Sequence, residues 1–132
     1  ITGQDGSYLA ELLLATAENR LATLPPPRFS DDAALTVVIA ASGYPGAPAQ
    51  GGEIGALAKA EAEGAKVFHA GTAMDGGRLV SKGGRVLNVT ASGQSVGAAQ
   101  KIAYHAINKI DFNDGFFRHD IGWREVEREA KE

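Results

Sequence analysis

Two stretches of the chain repeat apolar residues at intervals of three and four, the spacing of a helix that buries one face. The first covers residues 8–21, where Leu9, Leu12 and Leu13 lie at helical spacing and Ser7 is a suitable N-cap. The second covers residues 95–110. Its apolar face comprises Val96, Ala99, Ile102, Ala103, Ala106, Ile107 and Ile110. We therefore predict two amphipathic helices in these stretches.

Short apolar runs rich in β-branched residues predict the strands. The run over 34–41, centred on Val37, Val38 and Ile39, is continuous and predicts a buried strand. Similar runs predict further strands over 66–70, 78–81 and 85–90, and weaker helical patterns cover 53–63, ending at Gly64, and 123–132. Strands and helices mix without strict alternation, which favours an α+β fold. We expect a small antiparallel or mixed sheet packed with helices and preceded by a peripheral N-terminal helix.

Glycine and proline divide the chain. Glycine makes up 17 of the 132 residues, against a usual share of about 7%. Asp75-Gly76-Gly77 and Lys82-Gly83-Gly84 are the predicted turns between the last strands. The predicted organisation is a remnant of a fusion at 1–7, a helix with a triple-proline linker at 8–27, the main domain at 28–124 and a frayed, charged helix at 125–132.

Composition excludes several classes of protein. The net charge is −3 and the chain lacks a block of basic residues, so we expect no nucleic-acid partner. It has no cysteine, which excludes disulfides and thiolate metal sites and fits a cytoplasmic location. No apolar run reaches the ~20 residues of a membrane helix, so we expect no membrane association. The three histidines match no metal-ligand spacing, and we predict no metal site.

The candidate chemistry lies near Arg85. This cation follows Lys82-Gly83-Gly84 and precedes an apolar strand. Backbone amides in such a turn can cradle an anion, and a guanidinium can hold a phosphate in bidentate fashion. The alternative is an ordinary hairpin turn with an exposed arginine. His69 closes a strand beside Gly71 and Thr72 and is the histidine placed to face a cleft. His105 is predicted to be a surface or boundary residue, and His119 is predicted to be structural.

Residues 1–14 resemble the start of Rossmann proteins of the GDP-mannose 4,6-dehydratase type. Gly3 and Gly6 would be the second and third glycines of the dinucleotide fingerprint. The preceding strand and the acidic residue about 20 positions later are missing from the pattern. We interpret the likeness as a scar or a coincidence.

Four motifs carry a stronger resemblance. Residues 42–46 (SGYPG), 68–72 (FHAGT), 83–90 (GGRVLNVT) and 116–124 (FFRHDIGWR) stand in this order along the chain. Together they resemble the C-terminal domain of the phosphoribosylamine–glycine ligases, a family of ATP-grasp enzymes of purine synthesis. The resemblance covers residues 28–124.

The resemblance implies a substrate-cleft domain of a carbon–nitrogen ligase. The intact enzyme joins phosphoribosylamine to glycine, using ATP and magnesium, to form glycinamide ribonucleotide. The family's Arg-Phe-Gly-Asp-Pro-Glu signature does not occur in these residues, so we expect no cofactor site and no catalytic residue in this chain, and no activity without the ATP-grasp and N-terminal domains. The expected partners are those domains and phosphoribosylamine or its product, bound through the sugar phosphate. The implied substrate-binding residues are Gly43, Tyr44, Pro45, His69, Gly71, Thr72 and Arg85, with Lys82 a weaker candidate.

One alternative remains open at this point. The chain would then be a non-catalytic interaction or fusion fragment that retains no ligand. If the chain is instead the ligase domain, the face that the ATP-grasp core covers in the intact enzyme would expose Tyr44, Phe116 and Phe117, and such patches drive association. We therefore expect homo-oligomers at high concentration.

Overall fold

The computed structural model describes residues 9–131. They belong to two compact units, and the division along the chain lies between Asp31 and Asp32. The proposed fusion remnant, the Ser7 cap and the Tyr8 helix start lie outside the described residues, as does most of the Rossmann-like segment. Within 9–131, none of the helices has the length and apolarity that a membrane crossing requires.

The first unit contains α1 (Leu9–Ala17) and a 3-10 turn (Leu21–Thr23). The helix ends earlier than the predicted Leu21 because Asn19 adopts a left-handed φ of 55°. The three prolines that follow have no regular secondary structure.

The second unit is built on an antiparallel sheet of four strands. The elements are β1 (Ala33–Ala41), α2 (Leu57–Glu61), β2 (Lys66–His69), β3 (Thr72–Asp75), β4 (Arg78–Ser81), β5 (Arg85–Gly93), α3 (Val96–Ile107), β6 (Gly115–Phe116) and α4 (Trp123–Glu129). The strands of the sheet lie in the order β2-β5-β1-β6, and each of the three neighbouring pairs is antiparallel. β3 and β4 form a separate antiparallel ribbon. This arrangement confirms the predicted α+β class.

The core lies between one face of the sheet and α3. Leu35, Val37 and Ile39 of β1 point into it, and so do the buried residues of β5 and α3, namely Val86, Leu87, Val89, Ala91, Ala99, Ala103, Ala106 and Ile107. The predicted apolar face of α3 is confirmed. The prediction of a fully buried β1 is wrong, because alternate side chains face outward and Val38 is 38% exposed.

Three local predictions are also wrong. The helix expected over 53–63 begins only at Leu57, because Glu53 and Gly55 form β-bridges to Val80 and Asp111. The sequence pattern missed β3, which forms by pairing with β4 around Gly76-Gly77. Lys82-Gly83-Gly84 is not a hairpin turn, since it joins strands of two different sheets.

The C-terminal helix is anchored by a carboxylate. Glu129 of α4 accepts hydrogen bonds from the backbone N–H groups of Val96 (2.6 Å) and Gly97 (2.9 Å), in the first turn of α3. A carboxylate is favoured at this end of a helix, where backbone N–H groups lack acceptors within the helix. The segment predicted to be frayed and solvated therefore has one side chain fixed on the core helix.

This anchor predicts a pH-dependent stability. The bonds from Gly97 and Val96 hold the pKa of Glu129 below its ordinary value of 4.5. A lowered pKa in the folded state stabilises the fold above pH 4.5, and the contribution is lost as the pH falls through the folded pKa. We expect Glu129→Gln to lower the urea midpoint at pH 7, and its difference from the unmodified chain to shrink below about pH 4.5. Glu127→Gln, on the same helix, is the control. It should leave the urea midpoint unchanged both at pH 7 and below about pH 4.5. An equal loss at pH 3 and pH 7 would contradict the anchor.

Candidate substrate site

The site lies on the sheet face opposite α3 and depends on an irregularity in strand pairing. Ile39 of β1 pairs with Leu87, but the next residue, Ala40, pairs with Arg85, so Val86 is an extra residue in β5. Such a bulge changes which face the following side chains occupy. Val86 and Leu87 are both fully buried, and Arg85 is exposed on the open face beside Ala40.

A polar cavity of about 700 Å³ opens beside Arg85. Its lining residues come from the loop after β1, the end of β2 and the start of β5, namely Tyr44, Ala70, Gly71, Gly84, Arg85 and Asn88. None of them is acidic. Among residues 9–131, no carboxylate lies within 4.0 Å of the Arg85 guanidinium. A guanidinium that is not neutralised by the protein, with a hydroxyl and a carboxamide nearby, favours an anionic, hydroxylated ligand.

The glycines around the cavity have a packing role that the sequence did not reveal. A Cβ on Gly84 would lie 2.4 Å from Cδ2 of the Tyr44 ring. A Cβ on Gly71 would lie 2.7 Å from the Arg85 carbonyl oxygen and 2.8 Å from Cα of Gly83. Tyr44 and Gly71 therefore occupy the space that side chains at Gly84 and Gly83 would take, and the anion site expected at this turn stays a prediction.

The structure brings some of the predicted site residues together and leaves others beside the cavity. Arg85, Tyr44 and Gly71 line it. Gly43 and Pro45 do not line it but shape the loop that carries Tyr44: Gly43 has a φ of 87°, and a Cβ there would lie 2.3 Å from the carbonyl oxygen of Ala47. Positive φ with no room for a side chain requires glycine.

His69 and Thr72 face each other instead of the cavity. The His69 ring nitrogen Nδ1 lies 3.1 Å from the Thr72 hydroxyl oxygen, within hydrogen-bond distance. They flank Gly71 and hold the corner that leads from β2 to β3. Lys82 donates its backbone N–H to the Gly71 carbonyl, at 2.8 Å, and so belongs to the same corner.

Sequence reasoning missed Asn88 and Ala70 as lining residues. Asn88 is half-buried on the open face, between the buried Leu87 and Val89. Its polar side chain in an apolar strand was the available signal. Ala70 offered none, because a small residue lines a cavity only through its position in the fold.

An apolar pocket of about 290 Å³ adjoins the polar cavity and shares Tyr44 and Arg85 with it. Its other lining residues are Thr36, Val38, Ala40, Phe116, Phe117, Arg118 and Ile121. Tyr44 is 39% exposed and Phe116 44%, whereas Phe117 is half-buried and its ring centroid lies 4.6 Å from that of His119. The patch expected to drive self-association is therefore formed by Tyr44 and Phe116 more than by Phe117, and the association itself stays a prediction.

The second arginine at this pocket is already paired. Arg118 Nε lies 2.9 Å from Oδ1 of Asp120, and Nη2 lies 2.6 Å from Oδ2. The hydrogen bond from Arg118 holds the pKa of Asp120 below its ordinary value. Asp120 therefore offsets the charge of Arg118, which leaves Arg85 as the better anion ligand on this face.

A further polar cavity carries the carboxylates of Glu53, Asp111 and Asp114. Even so, the part of the chain that the structure describes has no group of three histidine, cysteine or acidic residues placed to hold a metal ion.

Comparisons with known proteins agree on one family. Residues 34–124 match the family model described as "Phosphoribosylglycinamide synthetase, C domain". Phosphoribosylamine–glycine ligase from Mesorhizobium japonicum is 56% identical over 121 residues, which are 92% of this chain and 28% of that protein. The chloroplastic ligase of Arabidopsis thaliana is 48% identical, over 89% of this chain and 23% of its own length. A crystal structure of the ligase from Thermotoga maritima matches with a TM-score of 0.65 and 32% identity, over 85% of this chain and 28% of that one. The chain thus spans less than a third of these relatives.

Proposed function

The chain belongs to the phosphoribosylglycinamide synthetase C-domain family, and on that premise we propose that it forms part of the substrate cleft of a phosphoribosylamine–glycine ligase. The ligase of purine synthesis joins phosphoribosylamine to glycine with the consumption of ATP. In this proposal the chain supplies the site for the sugar phosphate. ATP and magnesium bind to the parts of the enzyme that lie outside the matched C domain.

The observation that carries the proposal is the uncompensated guanidinium of Arg85 in a polar cavity. The phosphate of phosphoribosylamine is a dianion near neutral pH and accepts the fork of N–H groups that a guanidinium presents. Tyr44 and Asn88 line the same cavity, and a hydroxyl and a carboxamide can bond ribose hydroxyls.

The role of this site is positioning rather than bond making. A carboxyl group activated by ATP elsewhere in the enzyme must meet the amine on the sugar. Holding the phosphate at one end of the sugar fixes where that amine lies, and fixed orientation lowers the barrier by removing translational and rotational freedom beforehand. The rigid backbone around Gly71 and Gly84 suits this role, because it keeps Arg85 in one place.

The proposal names the rest of the ligase as the partner of this domain. In the relatives, the part that lies outside the match is more than twice as long as the matched part, which is 28–29% of their length. The apolar pocket with Tyr44 and Phe116 is the surface that we assign to that contact, and in its absence the same surface would support homo-oligomers. We also keep the expected cytoplasmic location, where ATP and glycine are available.

A chimera tests the function. The segment of the Mesorhizobium japonicum ligase that aligns with this chain is replaced by this chain. We expect the chimera to form glycinamide ribonucleotide from ATP, magnesium, glycine and phosphoribosylamine, and the isolated 132-residue chain to form none under the same conditions. The parent ligase is the positive control. Turnover by the isolated chain would contradict the prediction. A folded chimera with no turnover would favour an interaction fragment that retains no ligand.

A further inference from the structure

Strand β2 forms one edge of the four-stranded sheet. This strand pairs with β5 on one side, and no strand among residues 9–131 pairs with its other side. An edge of this kind exposes backbone N–H and C=O groups on which another chain can add a strand. The sequence of β2, Lys66-Val67-Phe68-His69, suits such pairing, because Val67 and Phe68 favour strands and Phe68 is 49% exposed.

A side chain from the preceding helix occupies this edge. Glu61, the last residue of α2, accepts a hydrogen bond from the backbone N–H of Val67, with 3.2 Å between Oε1 and N. The same oxygen lies 2.8 Å from Nζ of Lys66. Gly64, with a φ of 93°, lies in the turn that brings the end of α2 back beside the strand. Glu61 is half-buried.

The direction of the Val67 N–H identifies it as an edge donor. Alternate residues of an antiparallel strand send their N–H and C=O groups to opposite sides. Since the Val67 N–H meets Glu61, it points away from β5, and the equivalent group two residues later belongs to His69. The strand ends at His69, although Ala70 still donates its N–H to the Val86 carbonyl, at 3.0 Å, in register with the pairs of β2 and β5. Val67 is therefore one of the two outward donors of this four-residue edge, and His69 is the other.

We propose that the Glu61 carboxylate covers the β2 edge and prevents a second copy of this chain from adding a strand there. With Glu61 in place, an incoming strand finds the Val67 donor occupied. Lys66 adds to the cover, since its charged side chain is 66% exposed beside the edge. Charged side chains that block an edge are a known defence against sheet extension.

A different role for Glu61 gives a different result when it is removed. If the contact served only to join α2 to β2, its loss would lower stability without changing how folded molecules associate. The proposal requires that folded molecules associate more strongly, and through β2. Both the unfolding midpoint and the association of the folded chain must therefore be measured on the same variants.

The test compares Glu61→Ala with two matched variants of the 132-residue chain. Glu63→Ala removes a nearby carboxylate whose partners are His105 (3.2 Å) and Lys109 (3.9 Å) of the α3 region and not the strand edge. Glu61→Gln keeps an oxygen that can accept from Val67. Sedimentation velocity gives the association constant of each variant, and amide hydrogen exchange reports the protection of the Val67 N–H. Urea unfolding gives the midpoint.

For Glu61→Ala we expect the association constant to rise roughly five- to tenfold, the value of about one backbone hydrogen bond gained per pair. The Val67 amide should exchange faster at low protein concentration and become protected again at high concentration. Glu63→Ala and Glu61→Gln should associate like the unmodified chain. Equal association of Glu61→Ala and Glu63→Ala would overturn the proposal. So would enhanced association of Glu61→Ala without concentration-dependent protection of Val67.

Discussion

Replacement of Gly71 by alanine is expected to destabilise the domain by about 3 kcal/mol, the upper end of the range for overpacking a well-packed site. The new Cβ would lie 2.7 Å from the Arg85 carbonyl oxygen and 2.8 Å from Cα of Gly83. Both neighbours are backbone, so neither can move aside by changing a rotamer. Two backbone hydrogen bonds hold Gly71 against the segment from Lys82 to Arg85. Gly71 N–H donates to the Arg85 carbonyl (2.9 Å), and Lys82 N–H donates to the Gly71 carbonyl (2.8 Å).

The measurement is urea unfolding of the 132-residue chain, followed by Trp123 fluorescence and far-ultraviolet circular dichroism. Gly46→Ala is the matched control. A Cβ at Gly46 would meet only the Gly43 carbonyl oxygen, at 3.5 Å, which is ordinary contact. We expect this control to change the free energy of unfolding by under about 0.5 kcal/mol. If Gly71→Ala and Gly46→Ala lower the free energy of unfolding by similar amounts, the backbone contact between Gly71 and Gly83 is not tightly packed.

Helix α3 shows what the sequence could predict. Its apolar residues recur at helical spacing because one face must pack against the sheet, and Ala99, Ala103 and Ala106 are small enough to let the helix approach closely. The helix was predicted to start at Ser95, and Ser95 is its N-cap: its hydroxyl oxygen accepts a hydrogen bond from the Ala98 N–H at 3.1 Å. Local preference and packing agree here, so the pattern alone was sufficient.

Helix α2 and strand β3 show where local patterns fail. The alanine-rich stretch after Glu53 favours a helix, but Glu53 and Gly55 are drawn into β-bridges, and Ala56 takes a left-handed φ of 59° before the helix begins. Thr72–Asp75 contains few strong strand formers, and its extended form follows from pairing with β4. Both outcomes depend on tertiary partners that a local window does not contain.

The position of Arg85 could be predicted only in part. Its neighbours Gly83 and Gly84 drew attention to an anion site, and the motif order indicated the family. Simple alternation along β5, however, would place Arg85 on the same face as Leu87 and Val89, inside the core. The extra residue at Val86 turns it to the open face. A bulge is set by how two strands pair, so the sequence of one strand does not reveal it.

Arg85 carries the prediction with the largest expected effect on function. In the chimeric ligase, Arg85→Ala should raise the Michaelis constant for phosphoribosylamine roughly 10- to 150-fold, which corresponds to the 1.5–3 kcal/mol of a hydrogen bond to a charged group. The Michaelis constant for ATP should barely change, because in this proposal the nucleotide binds to other domains of the ligase. Arg78→Ala is the matched control: Arg78 is also an exposed arginine, but it lies on the β3–β4 ribbon near Glu53, at 3.5 Å, and does not line the cavity.

A second measurement on the isolated 132-residue chain separates phosphate binding from catalysis. Ribose 5-phosphate, titrated against the chain and followed by nuclear magnetic resonance, should shift the backbone amides of Gly71, Gly84 and Arg85. Arg85→Ala should abolish these shifts, and Arg78→Ala should leave them intact. Free ribose lacks the dianion and should shift the amides much less, because the guanidinium gains little from a neutral sugar. If ribose and ribose 5-phosphate act alike, or if Arg85→Ala leaves both the shifts and the Michaelis constants unaltered, then Arg85 does not hold the phosphate.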